Sequence, residues 1–169
     1  MTTLVVDASA ALALLRNEPG GDGARRHLGE QALHGEPMLV PAFFWLELVN
    51  VLARRYRLLP SAIVEAVYEV EQMGLRTADV GRPGALASID AVGRSGLTAY
   101  DAAYLVLAES SDARLLTADA ALAAAAGDRA ILAGPADSVA EERPAYRAEP
   151  PWTAWNGAAA YLAELRRAV

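Results

Sequence analysis

The sequence predicts an α/β fold in which a central parallel sheet is covered on both faces by helices. Two patterns carry this reading. Short apolar runs rich in β-branched residues alternate with longer stretches whose apolar residues recur at helical spacing. The strand-like runs are apolar throughout rather than alternating, as strands buried on both faces are. A third observation sets the scale: 169 residues with 54% hydrophobic content suffice for one core and are short for two.

Leu4-Val5-Val6 reads as the first strand, stopping at Asp7 and leading directly into the helix-forming ASAALALLR. A second helix is expected from about Gly23 to Leu33, and Pro37–Pro41 forms a short strand fenced by prolines. From Ala42 to Tyr56 the residues Phe43, Leu46, Val49 and Leu52 recur at helical spacing, and Pro60-Ser61 opens another helix to about Met73. Arg76–Val80 is a weaker strand. Helices follow from near Pro83 to Arg94 and from Thr98 or Ala99 to Glu109. Ala113–Thr117 is a strand, Ala120–Ala126 a helix and Ala130–Ala133 a last strand. In an open parallel sheet of this kind, ligands bind beyond the carboxyl ends of the strands, where strand order reverses.

After Gly134 the texture changes. Residues 134–151, GPADSVAEERPAYRAEPP, are proline-rich and charged, as a linker or surface segment is. In residues 152–169, Trp155, Ala159, Leu162 and Leu165 follow a helical stripe, which predicts a C-terminal amphipathic helix. No basic residue precedes the N-terminal apolar stretch and Asp7 interrupts it, so it reads as mature structure rather than a secretory leader. No stretch approaches the roughly 20 apolar residues of a membrane span. A cytoplasmic protein without a membrane partner is expected.

Composition removes several chemistries. With no cysteine there are no disulfides, thiolate metal sites or cysteine nucleophiles. A net charge of −6 argues against a broad basic surface that coats nucleic acid, while leaving room for a local basic track. All 15 basic residues are arginine, which excludes reactions that require a lysine. Receiver domains and haloacid-dehalogenase-like phosphatases also place an aspartate at a strand end, but both normally use a lysine, and Asp7-Ala8-Ser9 lacks the second aspartate of the phosphatase motif. Neither G-x-x-x-x-G-K-[ST] nor G-x-G-x-x-G occurs.

Four carboxylates remain. Asp7 ends the first strand, Asp119 lies two residues beyond the strand that ends at Thr117, Asp101 sits in the first turn of its helix, and Glu47 follows the second strand. All four can face one crevice. Three also have a purely structural reading: Asp7 and Asp119 can cap helices, and Thr98 with Asp101 fits a capping box. If they meet, two carboxylates about 4 Å apart repel by roughly 4 kcal/mol at an effective dielectric of about 20, so the group requires a cation or protons. Oxygen ligands without cysteine or a histidine pair suit Mg²⁺ or Mn²⁺, with His27 and His34 expected at the surface. Such an ion suits phosphodiester hydrolysis.

These segments, taken in order, resemble the PIN domain, and within it the VapC-type toxins of toxin–antitoxin pairs. The resemblance runs through LVVDASAALALL, ELVNVLARR, LTAYDAAYLVLAE and RLLTADAAL, and covers roughly residues 2 to 133. It implies a PIN-like α/β/α sandwich, with residues 1–133 as the nuclease domain and the C-terminal helix as an extension. It also implies a Mg²⁺- or Mn²⁺-dependent endoribonuclease, an RNA substrate, a VapB-like antitoxin and a homodimer. Asp7, Glu47, Asp101 and Asp119 match the family's acidic positions, Ser9 and Thr117 its supporting hydroxyls, and Asn50 a polar position beside Glu47. Glu47, Asn50 and Arg54 share a helix face by spacing alone. Arg54, Arg55 and Arg57 offer a phosphate-contacting track, although Arg55 and Arg57 can equally solvate a helix end. The competing reading is a catalytically idle PIN-like module that binds protein or RNA.

Overall fold

The computed structural model describes residues 2–133. The expected linker 134–151 and C-terminal helix 152–169 lie outside them. Five strands form one sheet: β1 (Leu4–Val6), β2 (Met38–Pro41), β3 (Arg76–Ala78), β4 (Arg114–Thr117) and β5 (Ala130–Leu132). Every pairing is parallel, and the order across the sheet is β3-β2-β1-β4-β5. The helices are α1 (Ala8–Arg16), α2 (Gly21–Leu33), α3 (Phe44–Arg54), α4 (Pro60–Glu71), α5 (Gly81–Ser95), α6 (Ala99–Ser110) and α7 (Ala120–Ala126). This is the predicted succession, with one addition: the 3₁₀ turn Gly127–Arg129 before β5.

Strand order dictates the layers. From β1 the chain steps to β2 and then β3 in one direction, and from β3 it crosses back to β4 and β5 in the other. Right-handed crossovers therefore put α1–α4 on one face and α5–α7 on the other. The reversal falls between β1 and β4, whose register pairs Val6 with Leu116. Strand ends at that boundary form the crevice rim.

The strand core lies where the apolar runs placed it, but the stripe expected on α3, Phe43, Leu46, Val49 and Leu52, is not the buried one: Leu46 and Val49 are exposed, because the inner face follows a spacing of four residues set one position along. Val5, Val6, Val40, Leu115 and Leu116 are wholly buried in the strands, and Phe44, Leu48 and Leu52 recur every fourth residue along the inner face of α3. Tyr104 is the largest fully buried side chain among the described residues. β3 is an edge strand with two of its three residues exposed, which explains its weak apolar signal. It ends at Ala78 rather than Val80. Helix α5 begins at Gly81, two residues before Pro83, because a proline in the first turn sacrifices no intrahelical hydrogen bond.

Two close approaches fix the ends of the sheet. A Cβ at Gly23 on α2 would stand 2.5 Å from the Ala133 carbonyl oxygen, so only glycine lets the chain beyond β5 lie there. The Ala133 N–H donates to the Thr117 carbonyl at 2.8 Å. The described chain thus leaves the domain at the carboxyl rim of the sheet. Among the described residues, no helix is long and apolar enough to cross a membrane.

Candidate functional site

Asp7 follows β1 with extended backbone angles and occupies the position before α1, where a carboxylate would ordinarily cap the helix. Its side chain makes no such cap. Instead Oδ2 accepts hydrogen bonds from the Ser9 hydroxyl and, at 2.7 Å, from the Thr117 hydroxyl. Both hydroxyls are oriented from behind: the Ala118 N–H donates to Ser9 Oγ at 2.9 Å, and the Asp119 N–H donates to Thr117 Oγ1 at 3.0 Å. A hydroxyl has one proton. With the backbone amides in their acceptor positions, each hydroxyl directs that proton to the carboxylate.

Asp7 is only 4% exposed and Thr117 is fully buried. Burial pushes the Asp7 carboxyl up to about 6; the two hydroxyl hydrogen bonds oppose the shift, and the negative charges of Asp101 and Asp119 reinforce it. Those two couplings place Asp101 and Asp119 within electrostatic reach of Asp7.

The structural reading is realised for both of these aspartates. Thr98 caps α6 by accepting from the Asp101 N–H at 3.2 Å, and its own hydroxyl donates to Asp101 Oδ2. Asp119 caps α7, with Oδ1 accepting from the N–H groups of Ala121 at 2.7 Å and Leu122 at 2.9 Å. Capping does not disqualify either residue. It fixes one oxygen of each carboxylate at a helix N-terminus on the rim, with Asp101 half-buried and Asp119 exposed.

Glu47 enters through a residue the sequence reading passed over. Tyr104, one turn along α6 from Asp101, donates its hydroxyl to Glu47 Oε2 at 2.9 Å. Burial, then the charges of Asp7 and Glu47, raise the phenol far above its ordinary value, so Tyr104 stays a neutral donor. Phe43, just before α3, packs edge-on against Tyr104 at 5.3 Å and Tyr100 at 5.5 Å, tying the acid-bearing ends of α3 and α6 together. The signal was available: Asp101, Tyr104 and Leu105 share one helical face, and a tyrosine buried there needs a polar partner.

Asn50 and Arg54 are exposed on α3, the latter in its last turn. The Arg55 guanidinium lies 5.2 Å over the ring of Tyr56, which also carries Arg16 at 4.9 Å. Arg57 is exposed in a left-handed conformation, φ 52°. His27 lies on α2 and His34 ends it, away from the acid-bearing elements.

The donor set at the rim is therefore oxygen throughout, arranged round a buried carboxyl with like charges beside it. That chemistry fits a hard divalent cation. Among the described residues, however, no group of three acidic or imidazole side chains is gathered as a ready-made metal-binding cluster.

Comparison with known proteins agrees with the topology. A family model described as the PIN domain matches residues 4–128. Among solved structures, PAE2754 from Pyrobaculum aerophilum is 27% identical, with a TM-score of 0.59 over 78% of this chain and 90% of that one. VapBC2 from Rickettsia felis, bound to a DNA fragment from its promoter, is 12% identical with a TM-score of 0.57, covering 78% of this chain and 97% of that one. VapC20 from Mycobacterium tuberculosis, a sarcin–ricin-loop-cleaving toxin, is 17% identical with a TM-score of 0.55, covering 72% and 94%. No curated protein matches the sequence.

Proposed function

The chain belongs to the PIN domain family, and from that premise we propose that it is a Mg²⁺- or Mn²⁺-dependent endoribonuclease acting as the toxin of a VapBC-type pair. The observation that carries this reading is Asp7: a buried carboxyl at the β1/β4 boundary, held by two hydroxyls and pressed by the charges of two further aspartates.

Asp7, Asp101, Asp119 and Glu47 would hold the ion. When bound, a divalent cation acts as a Lewis acid on a phosphodiester and lowers the pKa of water. The protein's own contributions are distinct. Ser9 and Thr117 fix the Asp7 carboxylate in one rotamer as an acceptor. Tyr104 orients Glu47 from the side. Asn50 and Arg54, on the helix face of Glu47, would meet a phosphate backbone, with Arg55 and Arg57 extending the track. A VapB-like antitoxin as partner and a homodimer as the working form complete the proposal; three of the neighbouring structures contain toxin–antitoxin complexes. RNA as substrate rests on the sequence resemblance and on the activity stated for the mycobacterial neighbour.

The test is incubation of purified, partner-free protein with mixed cellular RNA, with and without Mg²⁺ or Mn²⁺, beside Asp101→Asn. Metal-dependent cleavage that the variant lacks is expected. Absence of any such cleavage across tRNA, rRNA and mRNA would leave the idle binding module.

A further inference from the structure

We infer that Tyr100 is a stacking platform for an unpaired base of the RNA substrate, set beside the acidic rim. The inference rests on the nuclease reading and adds to it the form of the substrate: a strand with at least one base free to leave its own stack.

Tyr100 stands in the first turn of α6, immediately before Asp101, so the two Cα atoms are about 3.8 Å apart. A spacing of four also puts it one turn from Tyr104 on the same side of the helix. With Phe43 the two tyrosines form a series that runs from core to solvent: Tyr104 is fully buried, Phe43 is half-buried and Tyr100 is 62% exposed. Phe43 meets both tyrosines edge to face, at 65° to Tyr100 and 79° to Tyr104. Such a contact engages one face of a ring at most. Phe43 thus steadies Tyr100 from one side and leaves a broad face of its ring turned to solvent, next to a carboxylate of the rim.

The charge balance gives that face its use. The chain carries a net charge of −6 and the rim is itself acidic, so attraction for phosphate is confined to local arginines such as those at the end of α3. Stacking is indifferent to that field, because every base has a π-face and the contact releases no counterions. Paired bases in a duplex are already stacked, whereas those of loops and single strands can be splayed onto an aromatic ring. Tyr68, also exposed at 51%, lies on α4, which contributes none of the four acids, and provides the control.

The experiment is a fluorescence-anisotropy titration of a labelled short single-stranded RNA with the full chain, in chelator so that the strand stays intact, at about 50 and 200 mM salt. Tyr100→Ala should weaken binding by about 5- to 150-fold, and by the same factor at both salt concentrations, whereas the loss in Arg54→Ala should shrink as salt rises. Tyr100→Phe keeps the ring and should bind like the native chain, as should Tyr68→Ala. A duplex of the same sequence should bind the native chain and Tyr100→Ala alike. Tyr100→Leu keeps bulk against Phe43 without a π-face; it should behave as Tyr100→Ala does, and it carries the test should Tyr100→Ala lower the melting temperature. Unchanged binding in both Tyr100→Ala and Tyr100→Leu, an equal loss in Tyr100→Phe, or a loss that fades with salt would each overturn the stacking role while metal-dependent cleavage, measured separately, still upholds the nuclease reading. A native chain that binds no single-stranded RNA overturns the stack, and one that also cleaves none overturns the nuclease reading with it.

Discussion

Thr117 donates a 2.7 Å hydrogen bond to Asp7 across 110 residues of sequence, from the end of β4 to the end of β1. The Thr117 oxygen simultaneously accepts from the Asp119 N–H. One hydroxyl therefore joins two of the four candidate acids. Replacing it with the near-isosteric valine removes a donor that favours the charged form of Asp7 and strips the Asp119 amide of this acceptor. Thr117→Val should lower stability by about 1–3 kcal/mol and raise the Asp7 pKa further, so that Mn²⁺ protection in thermal melts appears at higher pH than in the native protein.

The pH dependence of the metal-free domain follows from Asp7. Its folded pKa, about 6, lies above the ordinary value of 3.8, so the folded state binds the proton more tightly than the unfolded state. The contribution is fully present below about pH 4 and is lost as pH rises through about 6, amounting to roughly 3 kcal/mol. Melts in chelator across this window should show that decline superimposed on the other groups. Added Mn²⁺ should offset it at pH 7 and have little effect at pH 4.5. Equal protection at both values would contradict a role for ionised Asp7 in holding the ion.

Asp7→Asn separates fold from function. It abolishes the buried charge while keeping an oxygen for Ser9 and Thr117, so the metal-free protein should melt no lower than the native one at pH 7.5. Stabilisation by Mn²⁺ should largely disappear, and RNA cleavage should fall by about 100-fold or more. A variant that cleaves at the native rate sinks the assignment.

Asp119 has two duties that two substitutions can divide. Asp119→Asn retains the side-chain oxygen that caps α7 and removes the charge, so its melting temperature should stay close to native while activity drops. Asp119→Ala removes the cap as well, at a further cost of about 1 kcal/mol. If both variants are equally destabilised, the cap contributes less than the geometry suggests.

Tyr104→Phe keeps the packing with Phe43 and deletes the hydroxyl that orients Glu47. Stability should change by about 1 kcal/mol, whereas activity should fall about 10- to 100-fold, as loss of a group supporting a metal-holding residue typically does. The split between the two readouts distinguishes orientation of Glu47 from mere core packing.

Much of this was legible in the residues. Apolar runs located four of the five strands, with Arg76–Val80 a weaker signal for the exposed edge strand β3, and the rule that parallel sheets bind at their carboxyl rim points to Asp7 and Asp119. Where the reading fell short, the missing information was three-dimensional. The start of α2 at Gly21 and of α5 at Gly81 depends on first-turn geometry that propensity does not encode. Asp7 and Asp119 stand alike before a helix, but Asp119 caps its helix whereas the Asp7 carboxylate is engaged by the Ser9 hydroxyl and, across the strands, by Thr117. Tyr104 was hidden by its own apolar surroundings: in LTAYDAAYLVLAE it reads as core, and its hydroxyl acquires a role only when α3 lies alongside.

The parallel pairing of β1 with β4 also sets an order in time. Asp7 is made 110 residues before Thr117, and its second hydroxyl donor and two of its acidic companions are supplied by residues 98–119. Until that stretch has left the ribosome and docked beside β1, Asp7 lacks those partners. The rim is thus completed only with the last long-range strand pairing.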